Sequence, residues 1–226
     1  DIPIRSCQCD SVCEVCLGEA LEIVNTLIDD LEGDLGLKNI HLIYSGRGYH
    51  IRILDEEMMT AGSELRGEVL KYAAGAEIPN TTFSNSSASN TSFNFEHFSI
   101  PVGYSRLFTQ KVKYNIQHLV GNEQLDGINP KLMKDIMKYR HFLDDNKWGL
   151  FKSNIGPRRY KNLVEAMAKV NLSTIDAKVS IDLKRILRLP SSLHSKVSMK
   201  CVEVKNRETF DPFKEAVPKF VYERND

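Results

Sequence analysis

The sequence predicts an α/β (α+β) protein whose core is a mixed or antiparallel sheet flanked by helices, with a mostly helical insertion. Apolar residues recur at steps of three and four from 17 to 31, which is typical of an amphipathic helix. Two short apolar segments, 39–44 and 49–54, flank a turn that contains glycine, as in a β-hairpin. A second helical stretch runs from about residue 105 to 172. Helices and strands are therefore interleaved, which favours a mixed class.

The composition is that of a globular protein without a bulk charge. The chain has 226 residues, of which 42% are hydrophobic, enough for one core with an insertion. Lys plus Arg and Asp plus Glu each number 30, so the formal net charge is zero and any surface that attracts nucleic acid must be local. No run of 18 apolar residues occurs, and the first five residues do not resemble a signal peptide. We therefore expect a soluble, cytoplasmic protein with no membrane partner.

A cysteine cluster precedes the first predicted helix. Four of the five cysteines fall within ten residues: Cys7, Cys9, Cys13 and Cys16. A loop this short can wrap one ion with four thiolates, and a closed thiolate tetrahedron is the usual environment of structural Zn²⁺. Disulfides, free thiols and a catalytic zinc are the alternatives. We expect a structural zinc that fixes a small knuckle, because a short loop cannot be held by burial alone.

The turn of the predicted hairpin carries side chains that suit a phosphate. Ser45, Arg47 and His50 surround it, and Gly46 lets the backbone approach a ligand closely. A guanidinium grips phosphate oxygens through paired N–H groups, while a hydroxyl and an imidazole add hydrogen bonds. A solvated hairpin turn with an incidental arginine is an equally good interpretation of these residues taken alone.

Polar segments divide the rest of the chain. The tract at 80–94 is mostly Asn, Ser and Thr, so we expect a surface loop, and its three glycosylation sequons follow from that composition. The pattern predicts a helix at 63–74, before this tract. It also predicts strands at 177–181 and 197–204, towards the end of the chain. The predicted organisation is a first core part at 1–60 with a zinc knuckle at about 1–17, a mostly helical insertion at 61–150, and a second core part at 151–226.

Several motifs resemble those of one family. Ser45-Gly46-Arg47-Gly48-Tyr49-His50, one helix after the cysteine cluster, resembles the Ser-Gly-Arg-Gly-aromatic-His motif of archaeal-type DNA primase small (catalytic) subunits, in the archaeo-eukaryotic primase superfamily. The segments 175–180 and 188–196 resemble the block that holds the family's last catalytic carboxylate and a histidine that contacts the triphosphate. The segments 97–104 and 210–213 are also similar to family segments, whereas 106–172 matches nothing specific.

The resemblance implies a primase catalytic core that makes short RNA or DNA primers from nucleoside triphosphates in DNA replication. It implies that Asp176, with Asp182 as its rival, is the catalytic carboxylate that holds Mg²⁺ or Mn²⁺, and that the cysteine cluster is a zinc knuckle. It further implies a heterodimer with a primase large subunit, and a single-stranded DNA template. The nucleotide-binding residues that it implies are Ser45, Gly46, Arg47, His50, Arg188, His194 and Lys196.

One departure from the family pattern concerns the remaining metal-binding carboxylates. Family members carry an Asp-x-Asp pair upstream of the first zinc cysteine, and the given chain does not contain it. Asp1 is not a member of such a pair, because Pro3 stands two residues on. Two other hypotheses therefore stay open: a primase-polymerase of the same superfamily, and a non-catalytic, zinc-stabilised module for nucleic-acid binding or assembly.

Overall fold

In the computed structural model, residues 9, 12–79, 103–176 and 186–222 are described, and they form a mixed α/β arrangement with a small antiparallel sheet flanked by helices. The helices are α1 (Glu14–Gly33), α2 (Glu56–Thr60), α3 (Ser63–Ala74), α4 (Gly103–His118), α5 (Pro130–Tyr139), α6 (Trp148–Ile155), α7 (Pro157–Ser173), α8 (Pro212–Glu215) and α9 (Lys219–Tyr222). A 3₁₀ turn, Arg140–Leu143, follows α5. The strands are β1 (Ile40–Tyr44), β2 (Tyr49–Ile53) and β3 (Val202–Val204).

The chain divides into two compact units. Among the described residues, one unit comprises 69–79 and 103–176 and is helical. The other comprises 9, 12–68 and 186–222 and contains the three described strands. They are called the helical unit and the sheet unit below.

The sheet has the strand order β2-β1-β3, and both pairings are antiparallel. Leu42 lies opposite Ile51 on one side and Val204 on the other, so these apolar side chains share one face. That face packs into the hydrophobic core of the sheet unit. His50 and Arg52 alternate with Ile51 along β2 and therefore lie on the opposite face. The sheet thus has one apolar face and one face that presents polar groups.

Helix α1 begins at a capping cysteine and buries one apolar stripe. The backbone of Cys13 is extended, and its thiol group accepts a hydrogen bond from the backbone N–H of Cys16, which satisfies one of the unpaired donors at the helix start. The buried positions of the stripe are Leu17, Leu27, Ile28 and Leu31. Full burial of such a side chain contributes roughly 1.5–3 kcal/mol. The amphipathic helix predicted at 17–31 is confirmed.

The helical unit has its own core between α4, α5, α6 and α7. Phe108 and Phe151 are among its fully buried side chains. One polar contact crosses this interior: the side-chain amide of Asn115 on α4 donates to the side-chain oxygen of Asn171 on α7, at 2.5 Å. Asn171 in turn donates to the backbone oxygen of Gly75, at 2.6 Å. Because buried amides are stable only when hydrogen-bonded, this chain of contacts fixes both helices against the residue that follows α3.

Most of the predicted elements are confirmed. The hairpin, the helix at 63–74 and the helical content of 105–172 are present. The strand predicted at 197–204 was too long, because Ser198 takes a positive φ of 56° and its N–H bonds back to the carbonyl oxygen of His194, which closes a turn before β3. The polar tract at 80–94 and the strand predicted at 177–181 lie outside the described residues. None of the described helices is both long and apolar enough to cross a membrane.

Candidate functional site

The predicted phosphate-binding turn joins β1 to β2 and is closed by its own backbone. The N–H of Ser45 donates to the carbonyl oxygen of Gly48 at 2.8 Å, and the Ser45 hydroxyl donates to the same oxygen at 3.0 Å. The buried hydroxyl of Tyr44 donates to the carbonyl oxygen of Gly46 at 2.8 Å. These bonds occupy the carbonyl groups on the inner side of the turn and leave Arg47 at its tip. Ser45 therefore shapes the turn in addition to any contact it makes with a ligand.

Gly46 brings the turn into contact with the second predicted segment. Its φ is +96°, which only glycine adopts without strain. A side-chain carbon built on Gly46 would lie 2.5 Å from the Cβ atom of His194 and 2.9 Å from the carbonyl oxygen of Met199. No Cβ atom fits there. The absent side chain is thus what allows the hairpin turn and the segment around His194 to pack together.

His194 is held in a position surrounded by cations. Its backbone N–H donates to the Met199 carbonyl oxygen at 2.8 Å, and its Nδ1 accepts the backbone N–H of Lys196 at 3.2 Å. Partial burial lowers the pKa of His194, and the charges of Arg188, Arg47 and Lys196 lower it further. An Nδ1 that accepts leaves the proton on Nε2, so the neutral imidazole presents one N–H donor. Arg47, Arg188, His194 and Lys196 therefore form one positively charged cluster, called the cation cluster below.

The segment from Arg188 to Cys201 is a folded loop that holds these side chains in place. The Arg188 guanidinium donates to the carbonyl oxygen of Leu193 at 3.1 Å. The N–H of Ser191 donates to the Cys201 carbonyl oxygen at 2.7 Å, and the Cys201 N–H donates to the Ser192 carbonyl oxygen at 2.8 Å. Leu193 and Lys200 form an isolated antiparallel bridge within this loop. The positions of Arg188 and His194 are therefore set by backbone pairing.

His50 and Asp176, the other two predicted site residues, differ in how the structure places them. His50 lies on β2 opposite Ile43, half-buried, on the polar face of the sheet. Asp176 is exposed and follows the end of α7, as the last described residue before 186. It belongs to the helical unit, whereas the turn and the cation cluster belong to the sheet unit. Its rival Asp182 lies outside the described residues.

Three of the four predicted zinc ligands converge at the start of α1. The sulfur atoms of Cys9, Cys13 and Cys16 all lie within 4.8 Å of one another, and those of Cys9 and Cys16 are 3.2 Å apart. All three residues are partly buried, and no disulfide joins them. The positive end of the helix dipole favours a thiolate at this position. The three thiols can therefore hold a metal ion. Cys7 lies outside the described residues.

A comparison with family models decides the family. The model described as DNA primase small subunit matches residues 1–205 of the chain. The chain belongs to the DNA primase small subunit family. The resemblance drawn from the hairpin motif and the Arg188 to Lys196 segment is thereby confirmed. The match also includes 106–172, where the sequence analysis found no specific motif.

Named members of the DNA primase small subunit family are similar over nearly the whole chain. The DNA primase small subunit of Methanobrevibacter smithii is 81% identical over 226 residues, which are 100% of this chain and 70% of the relative. That of Methanothermobacter thermautotrophicus is 54% identical, over 99% of this chain and 68% of the relative. That of Thermococcus kodakarensis is 34% identical, over 97% of this chain and 66% of the relative. The chain thus spans about two thirds of the length of these family members.

One candidate site residue of this primase family member was missed by motif analysis. Arg52 lies two residues after His50 on the same face of β2, and its Nε atom is buried without a hydrogen-bond acceptor among the described residues. Burial raises the pKa of the Cys201 thiol, and the charges of Arg52 and Arg188 act against that rise. The alternation along β2 was the available signal, because His50 and Arg52 must share a face.

Proposed function

We propose that the chain carries the catalytic core for primer synthesis in DNA replication, the template-directed joining of nucleoside triphosphates into a short RNA or DNA strand. The observation that supports this most directly is the packing of Gly46 against His194, which brings Arg47, Arg188 and Lys196 around one imidazole. Three cations around one partly buried N–H donor suit a polyanionic ligand. A triphosphate has the matching charge.

In this proposal the cation cluster holds the β- and γ-phosphates of the incoming nucleotide. Arg47 binds phosphate oxygens through paired N–H groups from the tip of the turn, and Arg188 and Lys196 neutralise charge from the facing loop. His194 donates its Nε2 proton to a phosphate oxygen, while its Nδ1 stays bonded to the Lys196 backbone. His50 adds a contact from the polar face of the sheet. The nucleotide is thereby fixed with its α-phosphate beyond the cluster.

The chemistry is a nucleotidyl transfer. The 3′-hydroxyl of the growing strand attacks the α-phosphorus, the new O–P bond forms, and the bond from that phosphorus to the bridging oxygen of the β-phosphate breaks. Pyrophosphate leaves, and the hydroxyl proton is released. The cation cluster favours this step because negative charge accumulates on the leaving pyrophosphate, next to groups that are positioned before the reaction begins.

Asp176 is the residue that would hold the catalytic Mg²⁺ or Mn²⁺. A carboxylate supplies the oxygen ligands that both ions prefer, and Asp176 is exposed at the end of a long helix, where an ion can reach it. The bound ion would stabilise charge on the transferred phosphate. The cysteine cluster suits Zn²⁺ instead, because the sulfur atoms of Cys9, Cys13 and Cys16 lie within 4.8 Å of one another, as three corners of a thiolate tetrahedron do. We propose Cys7 as the fourth ligand.

Family membership also supports two macromolecular partners. The relatives are named small subunits, so we propose a heterodimer with a primase large subunit. A single-stranded DNA template is the second partner, because template-directed joining requires one. Both are proposals for the full-length protein.

The nucleotide-binding role is tested by single substitutions in the full-length protein. Arg47→Ala and His194→Ala should each weaken binding of a nucleoside triphosphate roughly ten- to a hundredfold, because a hydrogen bond to a charged group contributes roughly 1.5–3 kcal/mol. Isothermal titration calorimetry measures the affinity. Arg158→Ala, which removes an exposed arginine of α7, is the control and should leave affinity unchanged. Unchanged affinity in both site variants would show that the turn and the loop are scaffold.

The pH dependence of the same binding reaction gives an independent reading of His194. Burial and the charges of three cations lower its pKa in the ligand-free protein. A bound triphosphate adds negative charge beside the imidazole and therefore raises this pKa. Protonation is therefore favoured in the complex, and nucleotide affinity should rise as the pH falls from the pKa of the complex towards that of the free protein. His194→Gln should remove this rise. A histidine that only packs against Gly46 would produce no such difference.

A further inference from the structure

The exposed face of α5 carries a row of lysines. Lys131, Lys134 and Lys138 follow one another at steps of three and four residues, so they project from one side of the helix. All three are exposed, and none forms an ion pair with another residue of the described chain. The acid on the same helix, Asp135, is bound by Arg159 of α7. The row therefore presents three positive charges to solvent.

This row lies in the part of the chain that holds the excess positive charge. Residues 103–176 contain 13 Lys and Arg against 7 Asp and Glu, a net charge of +6, although the whole chain has 30 of each. The remaining residues therefore carry −6. A neutral protein whose positive charge is concentrated on one helical region has the local surface that polyanion binding needs.

Aromatic rings adjoin the C-terminal end of the lysine row. The ammonium group of Lys138 lies 4.9 Å from the centre of the Tyr139 ring. Tyr139 and Phe142 are nearly parallel, with an interplanar angle of 7°, and the His141 ring lies 4.3 Å from that of Phe142. Tyr139 and Phe142 are half-buried: part of each residue packs against the core of the helical unit, and part stays accessible. Surfaces that bind single-stranded nucleic acid have two components: cations along the phosphate backbone, and aromatic rings on which the bases stack.

We propose that the face formed by Lys131, Lys134, Lys138, Tyr139 and Phe142 binds single-stranded nucleic acid, with the lysines on the phosphates and the rings against the bases. The inference rests on the proposed function only in that the bound strand would be the template. The charge and the rings together favour nucleic acid over an acidic protein surface, because bases stack on aromatic rings and carboxylates do not. The binding is expected to be independent of sequence, because lysines and aromatic faces do not distinguish bases.

The test compares two triple variants of the full-length protein. The first, K131Q/K134Q/K138Q, removes the lysine row. The second is the matched control K147Q/K161Q/K169Q, which removes the same charge from the same unit at lysines already paired with Asp145, Glu165 and Asp126. Fluorescence anisotropy with a labelled single-stranded oligonucleotide of mixed sequence gives the affinity at several salt concentrations. Calorimetry with a nucleoside triphosphate is run on both variants in parallel.

The row variant should bind the oligonucleotide at least about tenfold more weakly, and the slope of log affinity against log salt should fall by about 2, since each phosphate contact on a single strand contributes roughly 0.7. The control should change neither quantity by more than a small fraction of this. The proposal would be overturned if both variants lost the same oligonucleotide affinity, or if neither lost any. It would also be overturned if the row variant kept its oligonucleotide affinity and lost binding to a protein partner. Affinity for the nucleoside triphosphate should be unchanged in both variants. This measurement tests the cation cluster separately from the α5 surface.

Discussion

Gly46 shows at the scale of one residue how backbone freedom brings two distant segments into contact. Glycine at this position was singled out in the sequence because it permits close approach, and the expected partner was a ligand. The structure shows that His194 of the same chain also makes that approach. The second turn glycine, Gly48, has no atom within 4 Å of a side-chain carbon built on it. The two glycines therefore have different functions, although they stand two residues apart.

The two glycines form a matched pair for mutation. Gly46→Ala forces a Cβ atom into the His194 side chain and imposes a residue with a side chain on a φ of +96°, so the free energy of unfolding should fall by about 2 kcal/mol or more. Nucleotide affinity should fall as well, because Arg47 on the turn moves away from the other members of the cation cluster. Gly48→Ala should cost less than about 1 kcal/mol. Urea unfolding and calorimetry measure both quantities, and equal effects of the two substitutions would contradict the packing described here.

At the scale of elements, the cysteine cluster and the start of α1 overlap. Cys13 caps the helix, and Cys16 lies in its first turn. The ligand-bearing segment before α1 is short and polar, with little apolar surface to bury, so a bound ion is the interaction that can hold it. The sequence spacing predicted the cluster, and the structure brings Cys9, Cys13 and Cys16 together.

We predict one tightly bound Zn²⁺ per chain. Metal analysis by mass spectrometry of protein purified without chelator should give a stoichiometry near one, and Cys13→Ala should reduce it towards zero because the remaining thiols cannot close a tetrahedron. Cys201→Ala is the control, since Cys201 is buried and does not belong to the group of three neighbouring thiols, so its loss should leave the zinc content unchanged. A stoichiometry near zero in the unsubstituted protein, or a disulfide within the cluster under reducing conditions, would refute the site.

At the scale of the whole molecule, the proposed reaction needs residues from both units. The hairpin turn and the cation cluster belong to the sheet unit, and Asp176 belongs to the helical unit. The charge distribution also follows this division, because the surplus of lysine and arginine lies between 103 and 176.

Asp176→Asn in the full-length protein should abolish primer synthesis and change the free energy of unfolding by less than about 0.5 kcal/mol. An amide keeps the size of the side chain and loses the charge that holds a divalent ion, and the residue is exposed. A primer-synthesis assay with a single-stranded template measures the activity. Asp182→Asn removes the same charge at the rival position; it is the control and should be nearly silent. Activity that survives at Asp176 and is lost at Asp182 would move the metal ligand by six residues.

The sequence by itself determined the elements, the family and the residue types of the candidate site. Amphipathic spacing predicted α1, alternation around a glycine turn predicted the hairpin, and the cysteine spacing predicted the metal cluster, because each pattern records a local periodicity. Only the tertiary structure decided that Gly46 packs against His194 and that the Nε atom of Arg52 is buried. It also decided that Ser198 ends the last predicted strand early. Such facts depend on how distant segments pack, and packing is set by the shapes of side chains that are not neighbours in the chain.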